Sequence, residues 1–307
     1  MLLELVDVAK AYRGGPRGVD GVTLRLGPGL VGLLGPNGAG KSSLMRIAAT
    51  VTRPTSGQVL FDGADAVARP DPLRRSLGYL PQDFGVYPHL SAREFLSYLA
   101  AVKGLPAKAA RVRIGELLEL FGLAGAGRRP LGKYSGGMLR RVGIAQALLA
   151  DPRVLIVDEP TAGLDPEERV LLRNLLSDLA ADRVVLLSTH IVSDVESAAS
   201  DIAIMAGGRL RQRGRPQDLL RQAEGLVWEL TVPAGALSQL RERHLVSRMI
   251  RTGPGVRVRV LAPAPPSPDA VPAAPDLEDA YLTIIHAAGA GRSPHGAPRD
   301  DPARARR

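Results

Sequence analysis

A chain of 307 residues with 45% hydrophobic content can bury one sizeable α/β core plus a smaller addition. It holds no apolar run near the roughly 18–20 residues of a membrane-spanning helix. The absence of cysteine excludes disulfides, thiolate metal sites and a cysteine nucleophile together, and fits a reducing cytosol. The net charge of +9 invites a nucleic-acid reading, yet among 40 basic residues only Lys10, Lys41, Lys103, Lys108 and Lys133 are lysine. Arginine beside abundant Ala, Gly and Pro reads as the usage of a high-GC genome, with a basic face toward anionic phospholipid or nucleic acid as the competing reading.

The opening stretch MLLELVDVAK lacks the basic start and long apolar core of a secretory signal. Any membrane span is therefore expected to come from a separate polypeptide. Over roughly the first 225 residues short apolar runs alternate with helical periodicity, the pattern of an α/β domain around a largely parallel sheet. Residues 30–34 form a buried-strand run that leads into a Gly-rich loop, and residues 42–50 then read as helix. A short strand at 58–61 lies between Gly57 and the turn Asp62-Gly63. Ser91 and Glu94 have capping-box spacing, so a helix is predicted from Ser91 to about Lys103, with a second over 106–121 stopped by Gly122. These belong to a helical insert, residues 84–150, between sheet strands.

Residues 154–157 and 184–188 are the next buried strands; between them Asp165, Pro166 and Glu168 supply an N-cap, a Pro at N1 and an acid at N3. Composition changes after Gly225. Residues 226–261 read as a β-rich unit with one helix at 236–244, ending in the alternating strand VRVRV. A Pro/Ala-rich linker at 263–275 and a short helix, LEDAYLTIIHAA, complete an accessory domain spanning 225–287 after a first domain of 1–224. Residues 288–307 are expected to be disordered.

Chemistry concentrates at three places. Gly35, Pro36, Asn37, Gly38, Ala39, Gly40, Lys41 and Ser42 follow a strand and open a helix, the context of a phosphate-binding loop. Its glycines let successive N–H groups face a phosphate, and the helix dipole favours the anion. Lys41 should reach the β- and γ-phosphates and Ser42 should hold Mg²⁺. The second place is the strand 154–157, which delivers Asp158 and Glu159. Asp158 is placed to hold Mg²⁺ through water, and Glu159 to polarise a water for attack on the γ-phosphorus, so hydrolysis is favoured over phosphoryl transfer to another acceptor.

The third place is Tyr134-Ser135-Gly136-Gly137-Met138 followed by LRRVGIAQALL, a second Gly-rich helix start and hence a second anion site. With it the sequence resembles the nucleotide-binding subunit of an ATP-binding cassette (ABC) transporter over about residues 1–223. The family's signature is LSGGQ. Here Tyr stands for Leu and Met for Gln, while the Ser135, Gly136 and Gly137 core is kept. The resemblance implies a P-loop NTPase core with a RecA-like parallel sheet, an N-terminal antiparallel β subdomain, the helical insert and a small C-terminal α+β extension. It implies that Ser135, Gly136 and Gly137 bind the γ-phosphate of ATP held by an opposite subunit in a head-to-tail dimer, formed with a second copy or a paralogous cassette. Tyr12 resembles the aromatic that stacks on adenine, and Ser43 extends the nucleotide contacts of the loop. Gln82 resembles the glutamine that contacts Mg²⁺ and the attacking water, residues 162–165 the loop that meets the other subunit, and His190 the histidine that contacts the γ-phosphate. The implied catalytic set is Glu159, His190 and Gln82, and the implied Mg²⁺ set Ser42, Gln82 and Asp158.

The extension ending in LEDAYL resembles the exporter branch whose permeases are separate chains. The expectation is therefore a transport ATPase using ATP and Mg²⁺, held at the cytoplasmic face of the cell membrane by an integral-membrane permease that docks near residues 84–88. No nucleic-acid partner is expected. The rivals are a soluble ABC ATPase acting on nucleic acid or ribosomes, and a regulatory cassette without catalysis. Outside the motifs, Trp228 reads as packing and Arg257 and Arg259 as a solvated strand face. His89, His244, His286 and His295 lack partners at metal-ligand spacing.

Overall fold

The parallel sheet predicted from the buried runs is the centre of the molecule. The computed structural model describes residues 2–12, 14, 17–253 and 255–289, so the tail from 290 onward, His295 included, lies outside the described residues. Strands β1 (Leu3–Ala11) and β2 (Arg17–Leu26) precede β3 (Gly29–Leu34), which leads through the phosphate loop into helix α1 (Lys41–Ala48). β4 (Ser56–Phe61) and β5 (Ala64–Asp65) complete an antiparallel sheet of order β2-β1-β4-β5. After α2 (Asp71–Arg75) and β6 (Leu77–Leu80) comes the helical insert with α3 (Ala92–Val102), α4 (Ala107–Leu120) and α5 (Gly136–Ala147). Then follow β7 (Val154–Asp158), α6 (Pro166–Leu179), β8 (Val184–Thr189), α7 (Val192–Glu196), the hairpin β9 (Asp201–Ala206) and β10 (Arg209–Gly214), and α8 (Pro216–Arg221).

The central sheet has the order β10-β9-β3-β8-β7-β6 and is parallel except for its edge strand β10. Successive side chains on a strand point to opposite faces, and both faces are covered here. Leu155, Val157, Val185 and Leu187 pack with the insert helices, whereas Val154, Ile156, Val184 and Leu186 pack with α1 and the antiparallel sheet. That explains why β7 and β8 read as unbroken apolar runs.

The capping box forms: Ser91 Oγ accepts from the Glu94 N–H at 3.3 Å and Glu94 Oε2 accepts from the Ser91 N–H at 2.8 Å. Asp165 does occupy the N-cap of α6, but its side chain makes no cap hydrogen bond. The acid at N3, Glu168, turns away from the helix end toward Arg141, 3.0 Å away. Strand β6 and the β9–β10 hairpin are among the elements that escaped the periodicity reading. β6 is only four residues long, and the β9–β10 hairpin was signalled only by its turn, Gly207-Gly208, where both residues have positive φ.

Beyond α8, strands β11 (Val227–Pro233), β12 (Leu245–Thr252), β13 (Gly255–Leu261) and β14 (Val271–Pro272) form an antiparallel sheet of order β12-β13-β11-β14, with α9 (Leu237–Arg243) against it. The Pro/Ala-rich stretch thus contributes a strand that pairs with β11. Trp228 packs on this small core and its indole N–H donates to Ala262 O at 3.0 Å.

Helix α10 (Leu277–Gly289) then places Leu277 and Ala280 in the main core. It also corrects the reading of Arg259. Arg257 is exposed, but the Arg259 side chain is 11% exposed and forks onto Asp279 Oδ2 at 2.8 and 2.9 Å and onto Glu229 Oε1 at 2.7 Å. Strand alternation chose the face correctly; α10 covers it. Among the described residues no helix is long and apolar enough to cross a membrane.

Candidate active site

Register brings the motifs together. Leu34 pairs with Thr189 across β3 and β8, Asp158 pairs with Ser188 across β7 and β8, and Leu80 pairs with Val157 across β6 and β7. The phosphate loop, Glu159, His190 and Gln82 therefore leave the same edge of the sheet, the carboxyl ends of its parallel strands, where open α/β sheets bind ligands.

In the phosphate loop, Gly40 adopts φ 99°, and a Cβ on it would lie 2.0 Å from Gly18 O. Only glycine fits there, because the loop packs directly on the backbone of β2. Lys41 is 5% exposed; its Nζ donates to Gly35 O at 2.6 Å and to Pro36 O at 3.3 Å. Burial pushes this ammonium below the ordinary lysine range, while the carboxylates of Glu159 and Asp158 push it back up. Ser42 Oγ lies 3.4 Å from Gln82 Oε1. Tyr12 stands over the start of α1, its hydroxyl 3.1 Å from Ser43 Oγ and Lys10 Nζ 5.6 Å from its ring centre.

Asp158 and Glu159 are both buried. The Ser188 hydroxyl donates to Asp158 Oδ1 and accepts from the Glu159 N–H at 2.9 Å. Glu159 has φ 48°, the left-handed region that a non-glycine residue rarely adopts, at a cost of about 1–3 kcal/mol. Its Oε1 lies 3.3 Å from His190 Nδ1 and 3.8 Å from Lys41 Nζ. Behind His190, buried Asp194 accepts from Thr161 at 2.6 Å and Thr189 at 3.0 Å, and Thr189 Oγ1 accepts from the Ile191 N–H at 3.0 Å. That network fixes both the Thr161 turn and the residues flanking His190. Ser188, Asp194 and Arg140, whose guanidinium meets the carbonyls of this turn, were not singled out by any motif. Ser and Asp near strand ends are too common to signal themselves, and Arg140 is one of two adjacent arginines.

Ser135 caps α5, its Oγ accepting from the Met138 N–H at 3.2 Å. A Cβ on Gly137 would meet Glu168 Oε2 at 2.7 Å, so α6 packs closely on this turn. Among the described residues, no hydrogen bond or ion pair joins Ser135, Gly136 or Gly137 to the phosphate loop. Gly136 lines a cleft together with Gln82, Asp83 and Ala162.

Strand ends that present a buried lysine and an Asp-Glu pair beside one phosphate loop belong to nucleotide hydrolases. The helical insert, with its own glycine-rich helix start, narrows the class to ATP-hydrolysing cassettes. Comparison with known proteins agrees. The family model described as "ABC transporter" matches residues 19–162. The chain is 35% identical over 258 residues to the ABC transporter ATP-binding protein YxlF of Bacillus subtilis, spanning 84% of this chain and 85% of that protein. It is 37% identical over 222 residues to the daunorubicin resistance ATP-binding protein DrrA3 of Streptomyces coeruleorubidus, spanning 72% of this chain and 70% of that one. Of two longer relatives the chain spans 49% and 11%. Among solved structures, the dimeric post-hydrolysis state of the ATP-binding cassette MJ0796 bound to ADP and Pi superposes with TM-score 0.65 at 25% identity, covering 69% of this chain and 98% of that one. This chain belongs to the ABC transporter ATP-binding family, and its reaction is ATP hydrolysis.

Proposed function

We propose that the chain is the ATP-hydrolysing subunit of an export system, that it closes on a second copy of itself around two ATP molecules, and that it hands the motion to a separate membrane permease. The observation that supports the chemistry is the position of Glu159, a buried carboxylate between Lys41 and His190 at the mouth of the phosphate loop. Gly35, Pro36, Asn37, Gly38, Ala39, Gly40, Lys41, Ser42 and Ser43 enclose the phosphates, and Tyr12 takes the adenine. Glu159 accepts a proton from a water whose oxygen bonds to the γ-phosphorus. The bond from that phosphorus to the β,γ-bridging oxygen breaks, and its electron pair leaves with ADP. Lys41 and His190 face the charge that develops on the γ-oxygens.

Ser42, Gln82 and Asp158 offer only oxygen donors, the set that suits Mg²⁺, which supplies charge neutralisation along the phosphates when bound. Among the described residues no group of three His, Cys, Asp or Glu side chains is arranged to hold a metal ion.

The dimer reading draws on the glycine-rich helix start at Ser135, Gly136 and Gly137, which among the described residues makes no hydrogen bond to the phosphate loop, and on the dimeric state of the MJ0796 cassette. The export reading draws on the drug-resistance relative. For the permease, Tyr87 is half exposed and packs edge-on against Phe95 and Tyr98, an aromatic patch suited to an incoming helix at the cytoplasmic face of the membrane.

The test is Glu159→Gln in the full chain. ATP binding is retained, turnover stops, and ATP converts monomer to dimer on light scattering. Hydrolysis persisting at the wild-type rate would refute Glu159 as the base. Co-purification with a multi-span protein encoded nearby tests the permease; its repeated failure counts against that partner.

A further inference from the structure

We propose that Arg140 is a positioning residue for hydrolysis, one that locks the backbone carrying Glu159 to the start of α5 and to the Gln82 loop. The proposal rests on Glu159 as the base. Arg140 and Arg141 are neighbours on α5 and so point about 100° apart. Arg141 goes outward, 3.0 Å from Glu168 and donating to Phe121 O at 2.9 Å. Arg140 goes inward, and its acceptors are all main-chain carbonyls. Nε donates to Pro160 O at 3.1 Å, Nη1 to Gln82 O at 3.0 Å, and Nη2 to Asp158 O at 2.6 Å and also to Glu159 O. One planar fork thus holds three consecutive carbonyls at the end of β7, those of Asp158, Glu159 and Pro160, and on the β6 side the carbonyls of Gln82 and, at 3.5 Å, Pro81.

That turn needs holding. Glu159 sits in the left-handed region, and its N–H is taken by Ser188. With Ser188 on the amide side and Arg140 on the carbonyl side, both peptide planes around Glu159 are fixed, and with them the direction of its carboxylate. The guanidinium spends its donors on backbone although Asp158, Glu159 and Asp83 are near enough to stabilise its charge. A carboxylate left free of direct pairing to arginine stays available as a proton acceptor.

The coupling follows from the same contacts. Arg140 lies five residues after Ser135 on one continuous helix, so a tilt of that helix start moves the fork, and the fork moves the Glu159 turn and the Gln82 backbone together. Lysine cannot replace it, because a single ammonium has three donors and no planar fork to span five carbonyls.

The experiment compares Arg140→Lys, Arg140→Gln and Glu159→Gln in the full-length chain by steady-state ATPase kinetics, nucleotide binding and thermal unfolding. Expected for R140K is a fall in kcat of tenfold or more with KM for ATP within threefold of wild type and an intact unfolding transition. R140Q should lose more kcat with the same KM. The proposal is overturned if R140K keeps kcat within twofold, or if kcat and KM change together with a lowered Tm. It is equally overturned if neither variant folds, since Arg140 would then serve the fold as a whole. E159Q separates the two readings. Persisting hydrolysis in E159Q sinks the base assignment, whereas an inactive E159Q beside a wild-type-like R140K sinks Arg140 alone.

Discussion

The imidazole Nδ1 of His190 stands 3.3 Å from Glu159 Oε1, although 31 positions separate the two residues in the chain. The contact exists because β7 and β8 are adjacent, parallel and in a register that pairs Asp158 with Ser188. His190 is therefore oriented by the same carboxylate that is proposed as the base. Replacing His190 with Ala should lower kcat by about 10²–10³-fold, the usual range for losing one donor aimed at a developing transition-state charge, while ATP binding persists. Single-turnover hydrolysis beside equilibrium binding measures both; an unchanged single-turnover rate would remove His190 from the chemistry.

Lys41 gives a prediction that reverses with ligand. Its ammonium is buried and its folded pKa lies below the ordinary value of 10.5, so the nucleotide-free protein bears a net cost for keeping it charged. That cost is fully present below the folded pKa and disappears as pH rises toward the unfolded value. Lys41→Met should consequently unfold no earlier than wild type without nucleotide, and the gap in Tm should narrow from neutral pH toward about pH 10. With MgATP the order inverts, because only wild type gains from binding. Thermal scans with and without nucleotide decide it.

Asp279 anchors the C-terminal helix. It is 0% exposed and accepts from Ser247 at 2.8 Å, from Arg259 at 2.8 and 2.9 Å, and from the Asp276 N–H at 3.0 Å. Burial alone would raise its pKa, but these hydrogen bonds and the Arg259 charge outweigh it and hold the carboxyl below the ordinary 3.8. A depressed folded value means the contribution is present above the unfolded pKa and is lost as pH falls through the folded one. Asp279→Ala leaves Arg259 with Glu229 and the Ala274 carbonyl as its partners and should cost about 1–3 kcal/mol, the range for a lost charge-assisted hydrogen bond. Hydrogen exchange should show the loss concentrated in β11, β13 and α10, and the variant should lose less stability than wild type as pH falls below 3.8.

Tyr12 over the start of α1 predicts a binding effect without a chemical one. Tyr12→Ala should raise KM for ATP by about 5–100-fold, the worth of one base stacked on an aromatic ring, and leave kcat near wild type. Tyr12→Phe should retain most of the affinity, since the face of the ring does the stacking. Equal KM values for all three proteins would take the adenine elsewhere.

Much of this was legible in one dimension because the determinants are local. A glycine-rich loop between an apolar run and a helix, Asp158 and Glu159 at the end of another such run, and the Ser91–Glu94 capping box each depend on residues a few positions apart. Local pattern also placed Arg257 and Arg259 on one face of β13. It failed where the covering partner is distant. The helix that buries Arg259 begins at Leu277, and nothing near residue 259 announces it.

Read along the chain, local chemistry therefore settles the inventory of glycine-rich loops and acid groups and the secondary structure that presents them, since backbone periodicity and turn chemistry act over a single turn or strand. Distance is settled only by packing. Strand register put Glu159 against His190 and Lys41, and helix packing turned Arg140 inward while Arg141 faces Glu168. Both are set by which surfaces bury together, and that is a property of the whole chain.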